Sequence, residues 1–182
     1  LKLVKEIAAV SAIPWQFRAA LVPSLMPELD DIAAQSGWQN QSGKLILQGI
    51  KQSFCQQQLA VEVLCYSDAF ADILQQSSLV IGMTGTAVEQ AVGLGKPVIA
   101  VPGNGPSFTY RFAEAQHRLL GNSVQVIGTK PANYDIIKEA ALAVDRTFQD
   151  DNYLASCVKN GLERMGRSGA SIKIANYVVN NL

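Results

Sequence analysis

Histidine is almost missing from this chain: His117 is the single one among 182 residues. A histidine-rich metal centre is thereby excluded, and any Ser-His-Asp triad has one imidazole to draw on. Cysteine is scarce as well. Cys55, Cys65 and Cys157 are an odd number without metal-ligand or redox spacing, so free thiols in a reducing, cytoplasmic compartment are expected. Charged residues make up only 16%, and 15 basic residues balance 15 acidic ones. No field of one sign exists to favour nucleic acid, and no carboxylates cluster to hold a metal. Neither a metal nor another cofactor is expected. Apolar runs are strand-sized and fall short of the ~20 residues that a membrane-crossing helix needs. No signal peptide is visible. Internal repeats and low-complexity linkers are lacking too.

What remains is globular. Hydrophobic residues make up 48% of the chain, and the length suits one domain, residues 1–182, with a sizeable core. Leu3, Val4, Ile7 and Val10 recur at helical spacing with no capping residue before them, so a strand and a loop are expected upstream of Leu1. Phe17 to Val22 reads as a strand stopped by Pro23. Pro27-Glu28 opens a helix running to Ser36-Gly37, with Pro27 near its first position. Leu45 to Leu47 and Leu59 to Tyr66 read as strands, and Lys51 to Gln58 as a loop or a short helix. Ser67-Asp68 is expected to cap a helix bearing Phe70, Ile73 and Leu74 on one face. Thr109 to Leu120 is helical up to Gly121-Asn122, and Ser123 to Ile127 is a further strand. From Tyr134 onward only helical periods occur, broken near Gly166-Arg167-Ser168-Gly169. Strands alternating with helices predict a parallel sheet covered on both faces.

The stretch from Ser78 to Gly103 carries the chemistry. Leu79-Val80-Ile81 is a strand, Gly82-Met83-Thr84-Gly85-Thr86 a glycine- and hydroxyl-bearing loop, and Ala87 to Leu94 a helix buried through Val88, Ala91 and Val92. Gly95-Lys96-Pro97 then leads to the strand Val98 to Val101. Such a loop sets free N–H groups and the positive end of a helix dipole at the carboxyl edge of a sheet, where a phosphate fits. Gly85 permits close backbone approach. The hydroxyls of Thr84 and Thr86 either bond a phosphate or cap the helix. The motif is neither a P-loop nor the three-glycine dinucleotide fingerprint.

Thr84-Gly85-Thr86-Ala87, an acid-amide pair and Leu94-Gly95-Lys96-Pro97 before a strand together resemble the C-terminal domain of GT-B-type glycosyltransferases. Among these the chain resembles the lipid-A-disaccharide synthase family and its synthase-related branch. Ser107-Phe108-Thr109-Tyr110 to Phe112-Ala113 is similar to the aromatic segment of that synthase. Ala170 to Leu182 resembles the closing helix of GT-B enzymes. The resemblance covers most of the chain and is motif-grade between Asp68 and Gly121. It implies a Rossmann-like three-layer α/β domain, with a mostly parallel sheet and C-terminal helices. It further implies the donor-binding half of a larger protein, holding a uridine diphosphate sugar. The N-terminal domain of that protein would supply the acceptor site and the catalytic base, and only the whole protein would touch a membrane, peripherally.

A glutamate early in the family's helix holds the ribose hydroxyls. Counting back from Pro97 without a gap, that position falls on Gln90, one residue beyond Glu89. An amide oxygen still accepts a hydroxyl hydrogen bond, but without the strength of a carboxylate. Successive helix positions point about 100° apart, so Glu89 and Gln90 cannot serve equally. The expected donor contacts are therefore Thr84, Gly85, Thr86, Glu89, Gln90, Gly103, Phe108, Thr109, Tyr110 and Gln116. Gly103-Asn104-Gly105-Pro106 either wraps a ligand or is an ordinary turn. Phe108 and Tyr110 either pack on the ligand or anchor the next helix. Arg111 faces a diphosphate or only solvent, Gln116 reaches for a sugar hydroxyl, and His117 reads as a solvated helix residue. Lys96 reads as a punctuation between helix and strand. An epimerase-like domain, a non-catalytic binding module and an interaction domain are the other readings; an occluded loop at residues 84–86 would favour the last.

Overall fold

A computed structural model describes residues 1–55, 58–83 and 85–181. Fold-building starts at β6 (Val98–Ala100), the most apolar strand and buried on both faces. Its side chains alternate: Ile99, with Val101 just beyond, enters one core cluster, while Val98 and Ala100 enter another. The first cluster is closed by α1 (Lys2–Val10) through Leu3 and Ile7, and by α6 (Tyr134–Gln149) through Ala140, Ala141, Ala143 and Val144. The second is closed by α3 (Phe70–Gln76), α4 (Thr86–Gly93) and α5 (Tyr110–Leu120), through Leu74, Val88, Ala91, Val92 and Leu120. Helices on both faces of a parallel sheet make three layers, the Rossmann-like α/β arrangement expected. That sheet has the order β5-β6-β7, with β5 at Val80–Ile81 and β7 at Val124–Val126, and every pair in it is parallel.

A second sheet of four strands has the order β1-β4-β3-β2. Here β1 (Phe17–Ala20) runs parallel to β4 (Gln58–Tyr66), as alternation predicts. By contrast β2 (Gln39–Gln41), β3 (Lys44–Lys51) and β4 are antiparallel neighbours, and β2 lay in none of the expected elements. The cause is local. Ser42 and Gly43 both take positive φ, 53° and 85°, and the Asn40 side chain accepts from the Gly43 N–H at 3.0 Å, a tight hairpin turn. Trp38, Leu45, Ile50, Val61, Val63 and Cys65 form that sheet's core against α1 and against α2 (Leu29–Gln35). Thus α1 serves both sheets, Ala8 facing one cluster and Leu3 and Ile7 another.

Two expected helix starts move. Pro27 lies inside a 3-10 turn, Pro23–Glu28, and α2 begins only after it, at Leu29, because the chain between Pro23 and Glu28 closes the tighter turn first. Ala69, not Ser67 or Asp68, occupies the N-cap of α3, and no side chain caps it. The C-terminal helices are α6, α7 (Asp151–Met165) and α8 (Ala170–Asn180), and the α7–α8 break falls at the glycines where periodicity fails. A further break between α6 and α7 comes at Asp150, whose carboxylate accepts from the Tyr153 N–H at 2.9 Å. No described helix is long and apolar enough to cross a membrane.

Three devices hold the layers in register at the amino edge of the sheet, where α1, α4 and α5 end. At Gly161 of α7 an added Cβ would fall 2.2 Å from the Val92 carbonyl oxygen, so α7 lies directly on the end of α4. Buried Asn160 ties α7 to the end of α5. On the opposite face, buried Ser11 donates to Asp145 and accepts from the Trp15 indole at 2.9 Å, and Trp15 meets Phe148 edge-on with centroids 4.8 Å apart. Together they fix α1 to α6.

Candidate donor site

The site grows from the end of β5. Gly82 lies beneath Val88, where a Cβ would come within 3.0 Å of that valine's methyl, so the chain turns into α4 at close quarters. Thr84 lies outside the described residues. Gly85 is the N-cap of α4, at φ 88° and ψ −172°, a conformation open to glycine and strained for any other residue. No side chain caps the helix there. Thr86 is already the first helical residue, so its hydroxyl does not act as the N-cap that sequence allowed. Val88, Ala91 and Val92 are fully buried, the stripe expected. Gly85 and Thr86 stay exposed, the opposite of an occluded loop. Glu89 is half-buried in the first turn and Gln90 is exposed.

Electrostatics divide the ligand groups this helix end suits. Its unpaired N–H groups and dipole favour an anion, worth about 0.3–1 kcal/mol at an exposed terminus. The Glu89 carboxylate already complements that dipole and repels a second anion beside it. A phosphate is therefore best placed at the Gly85–Thr86 backbone, and hydroxyl groups nearer residues 89 and 90.

From the next strand end, the loop 103–108 folds back on itself. The Gly103 N–H donates to the Phe108 carbonyl at 2.7 Å, and the Phe108 N–H to the Gly105 carbonyl at 3.2 Å. Gly105 takes φ 135°, and the Phe108 ring covers it. Gly103 also lies under the tip of Met83: a Cβ there would come within 2.7 Å of the Met83 methyl. The two loops thus abut through Met83 and Gly103, with Met83, Phe108 and Tyr110 all partly exposed. Thr109 is the N-cap of α5, its side chain accepting from the Phe112 N–H at 3.4 Å. Arg111 is exposed in the first turn of α5.

Gln116 is buried, 7% exposed, and its side-chain amide donates to the Gly85 carbonyl at 3.2 Å. The side chain expected to reach a sugar hydroxyl is thus engaged with the loop through its nitrogen. Two residues read from sequence as punctuation and as a solvated helix position have fixed partners. Lys96 donates to the carbonyls of Gln75 and Ser77, at 2.9 and 2.6 Å, and so caps the end of α3. His117 is tied by Nδ1 to the Val124 carbonyl at 2.6 Å, which places the proton on that nitrogen. With Tyr110, Glu114, Val126, Gly128 and Thr129 it lines a cleft of about 260 Å³ at the end of β7. The i, i+4, i+7 spacing of Tyr110, Glu114 and His117 was the signal available for that face. A larger cleft, about 720 Å³, lies at the amino ends of β1 and β4 beside Trp15, Phe17, Gln52 and Glu62, away from the α4 loop. Among the described residues, no group of three or more His, Cys, Asp or Glu side chains converges as a metal site. All three cysteines are free thiols, and burial pushes the Cys65 thiol above its ordinary value.

Residues 18–107, just under half of the chain, match the model of the glycosyltransferase family 28 C-terminal domain. The match runs from β1 through the α4 loop to the turn before α5. It supports a GT-B glycosyltransferase C-terminal domain of the sugar-donor-binding kind. Neither the curated proteins nor the solved structures gave a match.

Proposed function

We propose that this chain is the donor-binding half of a glycosyltransferase related to lipid-A-disaccharide synthase, and that it binds a uridine diphosphate sugar. One observation carries the proposal: α4 presents an exposed N-terminus that no side chain caps, opened by Gly85, at the carboxyl edge of a parallel sheet. The diphosphate lies against the Gly85–Thr86 backbone. Ribose hydroxyls meet Gln90 or Glu89. The loop at Gly103, with Phe108 and Tyr110, forms the far wall. Thr109 and Gln116 support that wall and the loop from α5.

As the glycosidic bond to the departing diphosphate breaks, negative charge grows on its oxygens. Backbone N–H groups and the α4 dipole stabilise that charge without reorganising. The acceptor, lipid-like or a saccharide, and the catalytic base belong to an N-terminal domain of the same protein in a reducing, cytoplasmic setting. Gln90 itself favours a second reading, in which the nucleotide is bound weakly and no sugar is transferred, because an amide replaces a carboxylate at the ribose.

Calorimetry with uridine diphosphate tests this on the wild-type chain and on Gln90→Glu. Binding is expected to the wild type and to be tighter in the variant. Absence of binding to both sinks the proposal. Equal affinities would instead point to Glu89 or to neither residue at the ribose.

A further inference from the structure

We propose that Gln116 is a positioning residue that sets the orientation of the Gly85–Thr86 peptide, rather than a contact to the sugar; this rests on the donor-site reading above. Three buried positions of α5 face inward: Ala113, Gln116 and Leu120. A glutamine there is unfavourable unless its amide is bonded, and its nitrogen donates to the Gly85 carbonyl. The Gly85 carbonyl also accepts from the N–H groups of Val88 at 3.0 Å and Glu89 at 3.4 Å. It therefore collects two donors from its own helix and one from α5.

The geometry of a trans peptide makes this consequential. A carbonyl and the N–H of the next residue point in opposite directions across one rigid plane. Holding the Gly85 oxygen toward α4 and α5 aims the Thr86 N–H outward, where a phosphate oxygen would arrive. Gly85 lacks a Cβ and sits at φ 88°, so its own sterics do little to stop that plane from rotating. Gln116 supplies the restraint from outside. It also couples the loop to α5, whose N-terminus carries Thr109 and follows the Phe108 turn, so both walls of the site share one anchor.

Two variants test this. Gln116→Leu removes the donor. Gln116→Glu keeps the shape but donates only when its carboxyl is protonated. Relative to wild type at the same pH, Gln116→Glu is expected to bind uridine diphosphate about tenfold more weakly at neutral pH, the worth of one such hydrogen bond. The ratio should close as pH falls toward about 5, near the carboxyl range. Gln116→Leu should stay weak throughout. Val88 amide exchange, measured without ligand, should quicken in Gln116→Leu. Wild-type binding with unchanged affinity in both variants overturns the proposal, as does a Gln116→Glu deficit that ignores pH. If wild type itself fails to bind, the donor reading falls; Val88 exchange then decides alone, and unchanged protection overturns the role of Gln116.

Discussion

Asn160 on α7 holds the last turn of α5: its side-chain nitrogen donates to the Leu120 carbonyl at 2.7 Å and to the Ser123 hydroxyl at 2.8 Å. Gly121 makes room for it, since a Cβ there would fall 2.2 Å from the Asn160 amide oxygen. One buried side chain thereby fixes the end of the helix that carries Gln116. Asn160→Leu leaves a carbonyl and a hydroxyl without their donor in a dry setting. A loss of about 2–3 kcal/mol is expected, read as a shift in the urea midpoint with unchanged slope.

Two glycines that look alike in sequence should behave in opposite ways. Gly161→Ala drives a methyl against the Val92 carbonyl oxygen, 2.2 Å away, and must push α7 off α4. Overpacking of this kind costs about 1–3 kcal/mol. At Gly93 the nearest atoms to a new Cβ belong to Met165 at 3.5 Å, an ordinary contact. Gly93→Ala should therefore be neutral or stabilising by up to about 1 kcal/mol, from helix propensity. Parallel thermal melts of the two variants separate these outcomes.

Lys96 supports the fold at a distance. Its ammonium caps the carbonyls of Gln75 and Ser77 at the end of α3, beside the dipole's negative pole. Lys96→Met should keep the stem's packing and lose about 1–2 kcal/mol in denaturant unfolding. Equal stability would show that solvent replaces the cap.

Tyr153 predicts an alkaline weakness. Its hydroxyl donates to the Asn122 carbonyl at 2.6 Å, and burial pushes the phenol above its ordinary value of 10.0. Once pH passes that ordinary value, the unfolded chain loses the proton first and the folded chain keeps it. The native state then binds more protons, so stability falls as pH rises. Tyr153→Phe should remove this part of the slope. An identical slope in the variant would place the pH dependence elsewhere.

The two ends of legibility are β6 and β2. Val98-Ile99-Ala100 announces a buried strand by composition alone, and the Val88, Ala91 and Val92 stripe announces the helix before it. Gln39-Asn40-Gln41 is wholly polar. Its pairing comes from a turn built on the positive φ of Ser42 and Gly43 and on the Asn40 side chain. Helix α3 starts at Phe70 although Ser67 and Asp68 offered caps, because a capping residue in the sequence does not oblige its oxygen to be used. In the site, Gly85 was visible as a glycine before a helix. The bond from Gln116 was not, since 31 residues separate the partners and only the packing of α5 joins them. Lys96 was hidden for the same reason, its partners lying 19 and 21 residues away.

A nucleoside diphosphate seated on the N-terminus of α4 must be felt by the amides around it. Amide chemical shifts recorded during a titration with uridine diphosphate read that place directly. Saturable shifts are expected at Gly85, Thr86 and Gln90, with smaller ones at Gly103 and Tyr110. Amides that stay still at millimolar ligand, or shifts confined to the cleft beside His117, would contradict that placement.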